Sequence, residues 1–460
     1  MSQLTEEVQT MVDGLVKNAQ DAFAQLEDMS QTQVDQIVFA MAKAGYDARN
    51  ELAEMAVKET KRGNVPDKVT KNIYASKVIW NTLKDMQTVG VLHENKTLGL
   101  TEIAEPMGVV AGVTPVTNPT STVIFNSMIA IKARNPIVFG FHPFSQQSSV
   151  KTGEIIRKAA IEAGAPENCI QWIDKPSLEA SDALMDHPDV AIVLATGGNS
   201  MVKTAYSTGK PALGVGPGNV PVYVDASANL KETVDDLVTS KSFDNGMICA
   251  AESTAIVDAK IYDAFKDEMN QHHAYVVPLD QVEAVQNVAI NMEKQSANNK
   301  IVGHTAQEIA DLAGVKVPAG TKVLVTEIGG VGPDYPLSRE KLSPVLALVK
   351  ADTPEQAFEY SEGVLDLGGL GHTAILHSQD QDMIEAFSKA MKAVRILINQ
   401  PGAQGGIGGL YNNLIPSLTL GCGSWGHNSV SNNVTALNLI NIKHVSQRRD
   451  NLHLLDDDFA

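Results

Sequence analysis

The sequence predicts an α/β protein with two domains built on parallel sheets and a small β-hairpin element beside them. Two observations carry the sheets. From about Pro106, short apolar strands alternate with helical stretches, a βαβα order that indicates parallel strands covered by helices. The alternation resumes after residue 249, and no repeat of fixed period or low-complexity linker interrupts it. A third observation sets two segments apart. Residues 88–105 read as a hairpin around a polar turn, and residues 438–445 alternate apolar and polar side chains like an exposed strand. An exposed strand invites pairing, either as a sheet edge or with another subunit.

Residues 3–62 place apolar side chains at three- and four-residue spacing, as at Met11, Val12, Leu15 and Val16 and again at Val34, Ile37, Val38 and Met41. That period predicts helix, and residues 69–88 predict another. Then come strand 109–114, helix 121–132, strand 136–141, helix 150–163, strand 190–196, a Gly-Gly turn, a helix through 201–207 and strand 220–225. After Cys249 follow strand 254–257, a helix near 261–269, and strands 322–326, 346–349, 372–377 and 395–399. Two α/β domains divided near residue 240 account for this order.

The chain has 460 residues, enough for two or three domains with ample core. Lysine and arginine number 36 against 54 aspartates and glutamates, a formal charge of −18. Such a surface has no general affinity for nucleic acid or anionic membranes. The three cysteines, Cys169, Cys249 and Cys422, are too few and too dispersed for a disulfide framework. No CxxC, HxxxH or HExxH pattern occurs, so no metal is expected. The first residues lack the basic start and apolar core of a signal peptide. No apolar run approaches the roughly 18 to 20 residues that span a bilayer. A soluble, cytoplasmic protein is expected.

Cys249 lies in SFDNGMICAAESTAIV with no second cysteine nearby. A free cysteine is ordinarily a small, buried hydrophobe, so it needs company to be read as a nucleophile. The cluster LGVGPGN at 213–219 is not a dinucleotide fingerprint, because it precedes a strand instead of following one and opening a helix. It reads as a loop that approaches something closely, for structure or for a site. Ala195-Thr196-Gly197-Gly198 does follow a strand and open a helix, whose free N–H groups can hold a phosphate. Asn118, at a strand end in TPVTNPTS, is a turn residue or an amide donor to a developing oxyanion. Glu340, in EKLSPV, is in isolation a solvated carboxylate, and His142, His187 and His372 show no pairing by periodicity.

In order, a strand-end Asn, a Gly-Gly helix start, a Gly-rich loop, a lone Cys and a Glu-x-x-x-Pro resemble the aldehyde dehydrogenase superfamily. The closer similarity is to its CoA-acylating branch. It covers nearly the whole chain, through EPMGVVAGVTPVTNPTST, ATGGNSMVKTAYSTGKPALGVGPGNVPV, KSFDNGMICAAE, NQPGAQGGIG and PSLTLGCGSWG. These stretches resemble the aldehyde dehydrogenase half of bifunctional aldehyde–alcohol dehydrogenases, which would continue past Ala460 into an iron-dependent alcohol dehydrogenase. A stand-alone enzyme and an excised domain both remain open. The resemblance implies an aldehyde dehydrogenase-like fold: residues 1–88 and 108–238 binding the cofactor, 239–420 catalytic, and 89–107 with 421–460 making a homodimer or higher oligomer. It implies interconversion of acetaldehyde, or another short aldehyde, with CoA and NAD to acyl-CoA and NADH.

Residue by residue, the resemblance makes Cys249 the nucleophile, forming a thiohemiacetal and then an acyl thioester. Asn118, with the Cys249 N–H, becomes the oxyanion donor. Glu340 holds the nicotinamide ribose, Thr196, Gly197 and Gly198 form the turn near the pyrophosphate, and Gly214 is expected beside the cofactor as well. His142, in FGFHP, stands where a lysine-bearing strand end usually meets the adenosine ribose, and NAD is expected over NADP. His372, in GGLGHTAI, is similar to a histidine of the acylating branch, near the CoA or substrate channel or structural. Cys169 and Cys422 read as packing. Gly246, Ala250 and Ala251 are expected to leave space at the reacting carbon. Nothing adjacent in sequence lowers the thiol from its usual pKa of about 8.5.

One departure bears on the acceptor. Hydrolytic relatives carry a water-activating glutamate in Glu-Leu-Gly-Gly, and here the loop reads Gly214-Val215-Gly216. Without that base a thiol is the better acceptor for the acyl group, which favours CoA. Gly214 thus argues against a hydrolytic enzyme, the near alternative together with a phosphorylating one. A non-catalytic assembly subunit is the distant alternative, opposed by the joint presence of Cys249, Asn118 and Glu340.

Overall fold

A computed structural model describes residues 5–451 and 454. Residues 3 and 4 of the expected helical stretch, and the remainder of the C-terminal segment, lie outside the described residues. The stretch read as continuous helix is three helices, Glu6–Leu26, Gln31–Asp47 and Arg49–Thr60. Ser30 starts the second with a capping box to Gln33, which satisfies free N–H groups at its first turn. The next helix, Val65–Ile73, runs through a π-helical turn at Tyr74–Val78 into Ile79–Leu83 and ends before the expected residue 88.

Among the described residues, five parallel strands form one sheet in the spatial order Ile170–Trp172, Ile137–Gly140, Val109–Val113, Val190–Thr196, Ala212–Val215. The chain first winds outward from Val109–Val113 in one direction and then returns to build in the other. A crevice therefore opens at the carboxyl ends of Val109–Val113 and Val190–Thr196, where ligands bind in such sheets. The helix Pro119–Lys132, buried at every residue, covers this sheet, as a helix without a polar face must.

Seven parallel strands form the second sheet in the order Ala274–Val276, Val323–Glu327, Val345–Ala351, Glu252–Asp258, Val220–Val224, Gly371–His377, Ala393–Ile398. Val220, Val222 and Val224 are fully buried in it, and each such side chain is worth about 1.5–3 kcal/mol of transfer free energy. The sheets therefore part within residues 216–219, upstream of the division expected at 238/239. Residues 213–215, expected in a loop, instead belong to Ala212–Val215, an edge strand of the first sheet.

The segments set apart by the sequence meet. Gly90–Asn95, Leu100–Pro106 and Ile440–Ser446 make a three-stranded antiparallel sheet, with Leu100–Pro106 in the centre. A two-stranded hairpin, Ile290–Asn291 with Ser296–Ala297, has no counterpart in the sequence reading.

Candidate active site

The carboxyl ends of strands in the five-stranded sheet and the loops that precede strands of the seven-stranded sheet face one cavity of about 1160 Å³. Of the residues singled out in the sequence, Cys249, Asn118, Glu340, Thr196, Gly197, Gly198 and His142 line it. Gly214 and His372 do not.

Cys249 follows a tight turn, Phe243–Gly246, in which Asp244, Asn245 and Gly246 all have left-handed backbone, with φ of 47°, 54° and 77°. Two consecutive non-glycine residues there cost about 1–2 kcal/mol each and persist only when the surroundings enforce them. The enforcing group is the Asp244 carboxylate, which is fully buried. Its Oδ1 accepts from the Asn64 N–H at 3.0 Å, and its Oδ2 accepts from Lys68 Nζ at 2.9 Å and Lys71 Nζ at 2.5 Å. Its own N–H donates to Asp67 Oδ2 at 2.7 Å. Gly246 is required by this turn, since a β-carbon there would lie 2.6 Å from the Ser343 backbone. Ala250 and Ala251 are buried outside the cavity lining. The expectation that these three residues clear space for substrate is thus corrected: they serve turn geometry and packing.

Lys71 also reaches Asn118. Its Nζ donates to Asn118 Oδ1 at 2.6 Å and to the Met247 carbonyl at 3.1 Å. A lysine has only donors, so the amide oxygen of Asn118 must face it and the NH₂ group is turned the other way. Asn118 is the N-cap residue of Pro119–Lys132 yet makes no side-chain cap hydrogen bond. Its Nδ2 donates to Thr117 Oγ1 at 3.2 Å. One cation therefore fixes the oxyanion candidate and, through Asp244 and Met247, the backbone that delivers Cys249.

Burial pushes the Cys249 thiol up to about 12, and the nearby Glu340 charge adds to this, while the buried Arg395 guanidinium pulls it down. Arg395, remote from Cys249 in sequence, is the cation that opposes this rise without cancelling it. It is held by Gly421 O at 2.7 Å, Asn433 Oδ1 and Thr373 Oγ1. Glu340 is itself raised to about 7 by burial, opposed by the Gly218 N–H that its Oε1 accepts at 3.2 Å. Its charge therefore changes near neutrality.

Thr196 ends its strand and Gly198 is the N-cap residue of the helix Asn199–Ser207. Thr196 Oγ1 is buried without a hydrogen-bond partner, and a β-carbon at Gly198 would meet nothing within 4 Å. A polar orphan beside an open helix start fits a phosphate-bearing cofactor. His142 Nδ1 accepts from the Phe144 N–H at 3.1 Å, which leaves Nε2 to carry the proton of the neutral ring.

Gly214 and His372 stand apart from the cavity lining, which corrects the expectation for Gly214 and fits the structural alternative for His372. Gly214 sits within the strand Ala212–Val215, and a β-carbon there would press on Val202 at 2.9 Å and Tyr206 at 3.0 Å. Its N–H donates to the Tyr206 hydroxyl at 3.1 Å, so it is a packing position behind the cavity. Its φ is not left-handed. His372 is fully buried behind Gly218, where a β-carbon would run into the Cys249 carbonyl and lie 3.0 Å from the imidazole. Thr373 Oγ1 accepts from Arg395 Nε and shares a hydrogen bond of 2.9 Å with His372 Nδ1. Burial and then the Arg395 charge hold this histidine neutral.

Residues 1–410 match the model of the aldehyde dehydrogenase family. Over 416 residues the chain is 51% identical to an aldehyde-alcohol dehydrogenase of Streptococcus pneumoniae, covering 89% of this chain and 47% of that one. The chain thus spans about half the length of the curated relatives it first matches. An acetylating aldehyde dehydrogenase of Geobacillus thermoglucosidasius superposes with a TM-score of 0.94 at 43% identity, over 98% of this chain and 99% of that one. A propionaldehyde dehydrogenase of Rhodopseudomonas palustris, solved with bound propionyl-CoA, superposes with a TM-score of 0.85 at 29% identity over 95% and 94%.

Proposed function

Since the chain belongs to the aldehyde dehydrogenase family, we propose that it is a CoA-acylating oxidoreductase, interconverting acetaldehyde or another short aldehyde, CoA and NAD with acyl-CoA and NADH. The observation that carries this reading is a single cavity lined by Cys249, Asn118, Glu340 and the Thr196–Gly198 turn, with Glu340 as the only carboxylate among its described lining residues. The named relatives, acetylating in one case and holding an acyl-CoA in another, support it.

The Cys249 thiolate adds to the aldehyde carbonyl, and the new oxyanion takes hydrogen bonds from Asn118 Nδ2 and the Cys249 N–H. The nicotinamide, when bound, supplies hydride acceptance, which leaves an acyl thioester on Cys249. The Thr196 hydroxyl and the helix start at Gly198 would hold its phosphates, His142 would meet the adenosine ribose, and Glu340 would hold the other ribose. With Glu340 so engaged, no other lining carboxylate can deprotonate water. A CoA thiol then attacks the thioester, loses its proton to solvent, and expels the Cys249 thiolate as acyl-CoA forms.

The absence of a water-activating base is worth about 10²- to 10⁴-fold, which decides the acceptor. With acetaldehyde and NAD, NADH absorbance is expected to rise steadily when CoA is present and to stop after about one turnover per site when it is withheld. NADP should serve less well in the same assay. Rapid, sustained turnover without CoA would overturn the acylating reading.

The homodimer expected from the sequence is proposed to form through the three-stranded sheet. Gly90–Asn95 and Ile440–Ser446 are its open edges, and Val91, Leu98, Ile442 and Val445 are exposed on or beside them. Light scattering at micromolar concentration should give at least twice the chain mass; a monomer would remove the proposal. Among the described residues no helix is long and apolar enough to cross a membrane.

A further inference from the structure

Four charged side chains meet at and behind the wall of the cavity. Glu340 lines it, while Lys241, Glu252 and Lys341 are buried outside the lining. Contacts at both ends bring them together. Lys341 Nζ donates to the carbonyls of Ser253 at 3.1 Å, Leu337 at 2.5 Å and Arg339 at 2.7 Å. Three acceptors take all the donors of an ammonium, so Lys341 is protonated in this geometry, although burial and then the Lys241 charge hold its pKa well below the ordinary value. It pins the residue next to Glu340 against Ser253, the neighbour of Glu252. From the other side, the Gly402 N–H donates to Glu252 Oε1 at 2.7 Å and the Ala403 N–H to Ser240 Oγ at 2.8 Å. Lys241 follows Ser240 in the last turn of the helix Leu230–Ser242. Its ammonium is enclosed with two carboxylates, Glu252 and Glu340.

Lys241 is bound less directly than Lys341. Its Nζ makes no hydrogen bond, and no ion pair within 4.0 Å, among the described residues. Burial lowers its pKa, and the charges of Glu252 and then Glu340 raise it. Burying an ammonium is expensive, and without a hydrogen bond this one acts only through its field. Neither carboxylate is among the charges acting on the other, so the cation stands between them. Glu252 has a short backbone donor of its own. Glu340 is less well supplied, with one N–H from Gly218 at 3.2 Å and the neutral His372 behind that glycine. Burial pushes Glu340 up to about 7, and of the two cations that pull it down Lys241 comes before Lys341. The Cys249 thiol also feels Glu340, whereas Lys241 is not among the charges acting on that thiol.

We propose that Lys241 is a positioning residue for the cofactor: its buried ammonium is the counter-charge that keeps the Glu340 carboxylate anionic, able to accept from both hydroxyls of a ribose. This rests on Glu340 holding the nicotinamide ribose, as read above. An ionised carboxylate is acceptor only, and protonation turns one oxygen into a donor and removes the charge that strengthens the other contact. Lys241 does not touch the ribose. It sets the fraction of the protein in which Glu340 is ready to bind, and apparent affinity scales with that fraction. Removing the cation raises the carboxylate's pKa, so affinity is lost near and below neutrality and regained where the pH ionises Glu340 unaided.

The test measures calorimetric binding of NAD to the full chain from pH 6 to 9. Lys241→Met alone leaves the Glu252 carboxylate without its cation and should lower the melting temperature. The informative protein is therefore Lys241→Met/Glu252→Gln, neutral at both positions, with its melting temperature as the check on folding. Affinity of the unsubstituted protein is expected to fall away below about pH 7, where Glu340 takes up its proton. In the double variant that midpoint should rise by about one unit, giving a Kd about fivefold weaker at pH 7 and within about twofold at pH 9. Iodoacetamide alkylation of Cys249 without cofactor reads the same carboxylate. Its rate climbs with pH and slackens as Glu340 ionises, and this inflection should also move up by about one unit. An unmoved alkylation inflection, or a loss of NAD affinity equal at every pH, would overturn the proposal and leave Lys241 as a partner of Glu252 in the fold. Failure of the ribose reading shows differently. Glu340→Gln would then bind NAD as tightly as the unsubstituted protein while the inflection still moved in the double variant, which would overturn the cofactor role and leave only the charge pairing.

Discussion

Replacing Cys249 by alanine is expected to reduce CoA-dependent NADH formation to background while the protein stays folded. The side chain borders an open cavity, so removing one sulfur leaves little new void and should cost little stability. Neither other thiol can take over. Cys169 is fully buried with its pKa pushed up to about 12 by burial, and Cys422 is buried and raised for the same reason. The unsubstituted protein adds a pH signature. With the Cys249 thiol raised to about 12, its thiolate fraction grows about tenfold per pH unit from neutrality upward, and alkylation by iodoacetamide should follow. Glu340, raised to about 7, is ionised above that pH and opposes the thiolate. Glu340→Gln should therefore speed alkylation at pH 8 to 9 and change it little at pH 6. Circular dichroism and NADH absorbance check the alanine variant. Appreciable CoA-dependent turnover by it would move the nucleophile to Cys169 or Cys422.

The sheets were legible because apolar runs and turn signals are local properties. Val190–Thr196 falls where its sequence places it, and Gly371–His377 differs from its expected span by one residue. Pairing is not local. Val220–Val224 reads equally well as the last strand of one sheet or an inner strand of the next, and only its neighbours, Glu252–Asp258 and Gly371–His377, decide. Ala212–Val215 was hidden because a four-residue strand containing glycine looks like the loop that follows it. At the site, resemblance supplied Cys249, Asn118 and Glu340, and geometry brings all three to one cavity. The groups that hold them were silent. Lys68 and Lys71, three residues apart beside Asp67, look like the solvated face of a short helix. Their partner Asp244 is 173 residues beyond Lys71 and sits in a turn no periodicity describes. Arg395 looks like any charged residue in an edge strand until Thr373, Gly421 and Asn433 enclose it.

Lys71, the buried cation between Asp244 and Asn118, gives the second large effect. Lys71→Met keeps the apolar stem and removes the ammonium, so Asp244 retains Lys68 and the Asn64 N–H but loses its shortest partner. Breaking such a buried pair costs about 3–5 kcal/mol, and denaturant unfolding should show a loss of that order. Activity should fall for a separate reason. Lys71 acts as a positioning residue: without a donor at Oδ1, the Asn118 amide is free to flip, and its NH₂ no longer points dependably at the oxyanion. Removing an oxyanion donor outright costs about 10²- to 10³-fold in kcat, so misorienting one is expected to cost about 10- to 100-fold. A purely structural role would disturb Cys249 as well. Alkylation involves no oxyanion, and its rate at Cys249 should stay within about twofold in Lys71→Met. The decisive measurement is the double variant. If Lys71 works through Asn118, then Asn118→Ala/Lys71→Met should be hardly slower than Asn118→Ala alone, because the second substitution has nothing left to misplace. Fully multiplicative losses in kcat, or a collapse of Cys249 alkylation, would show that Lys71 supports the fold of the turn and not the orientation of the amide.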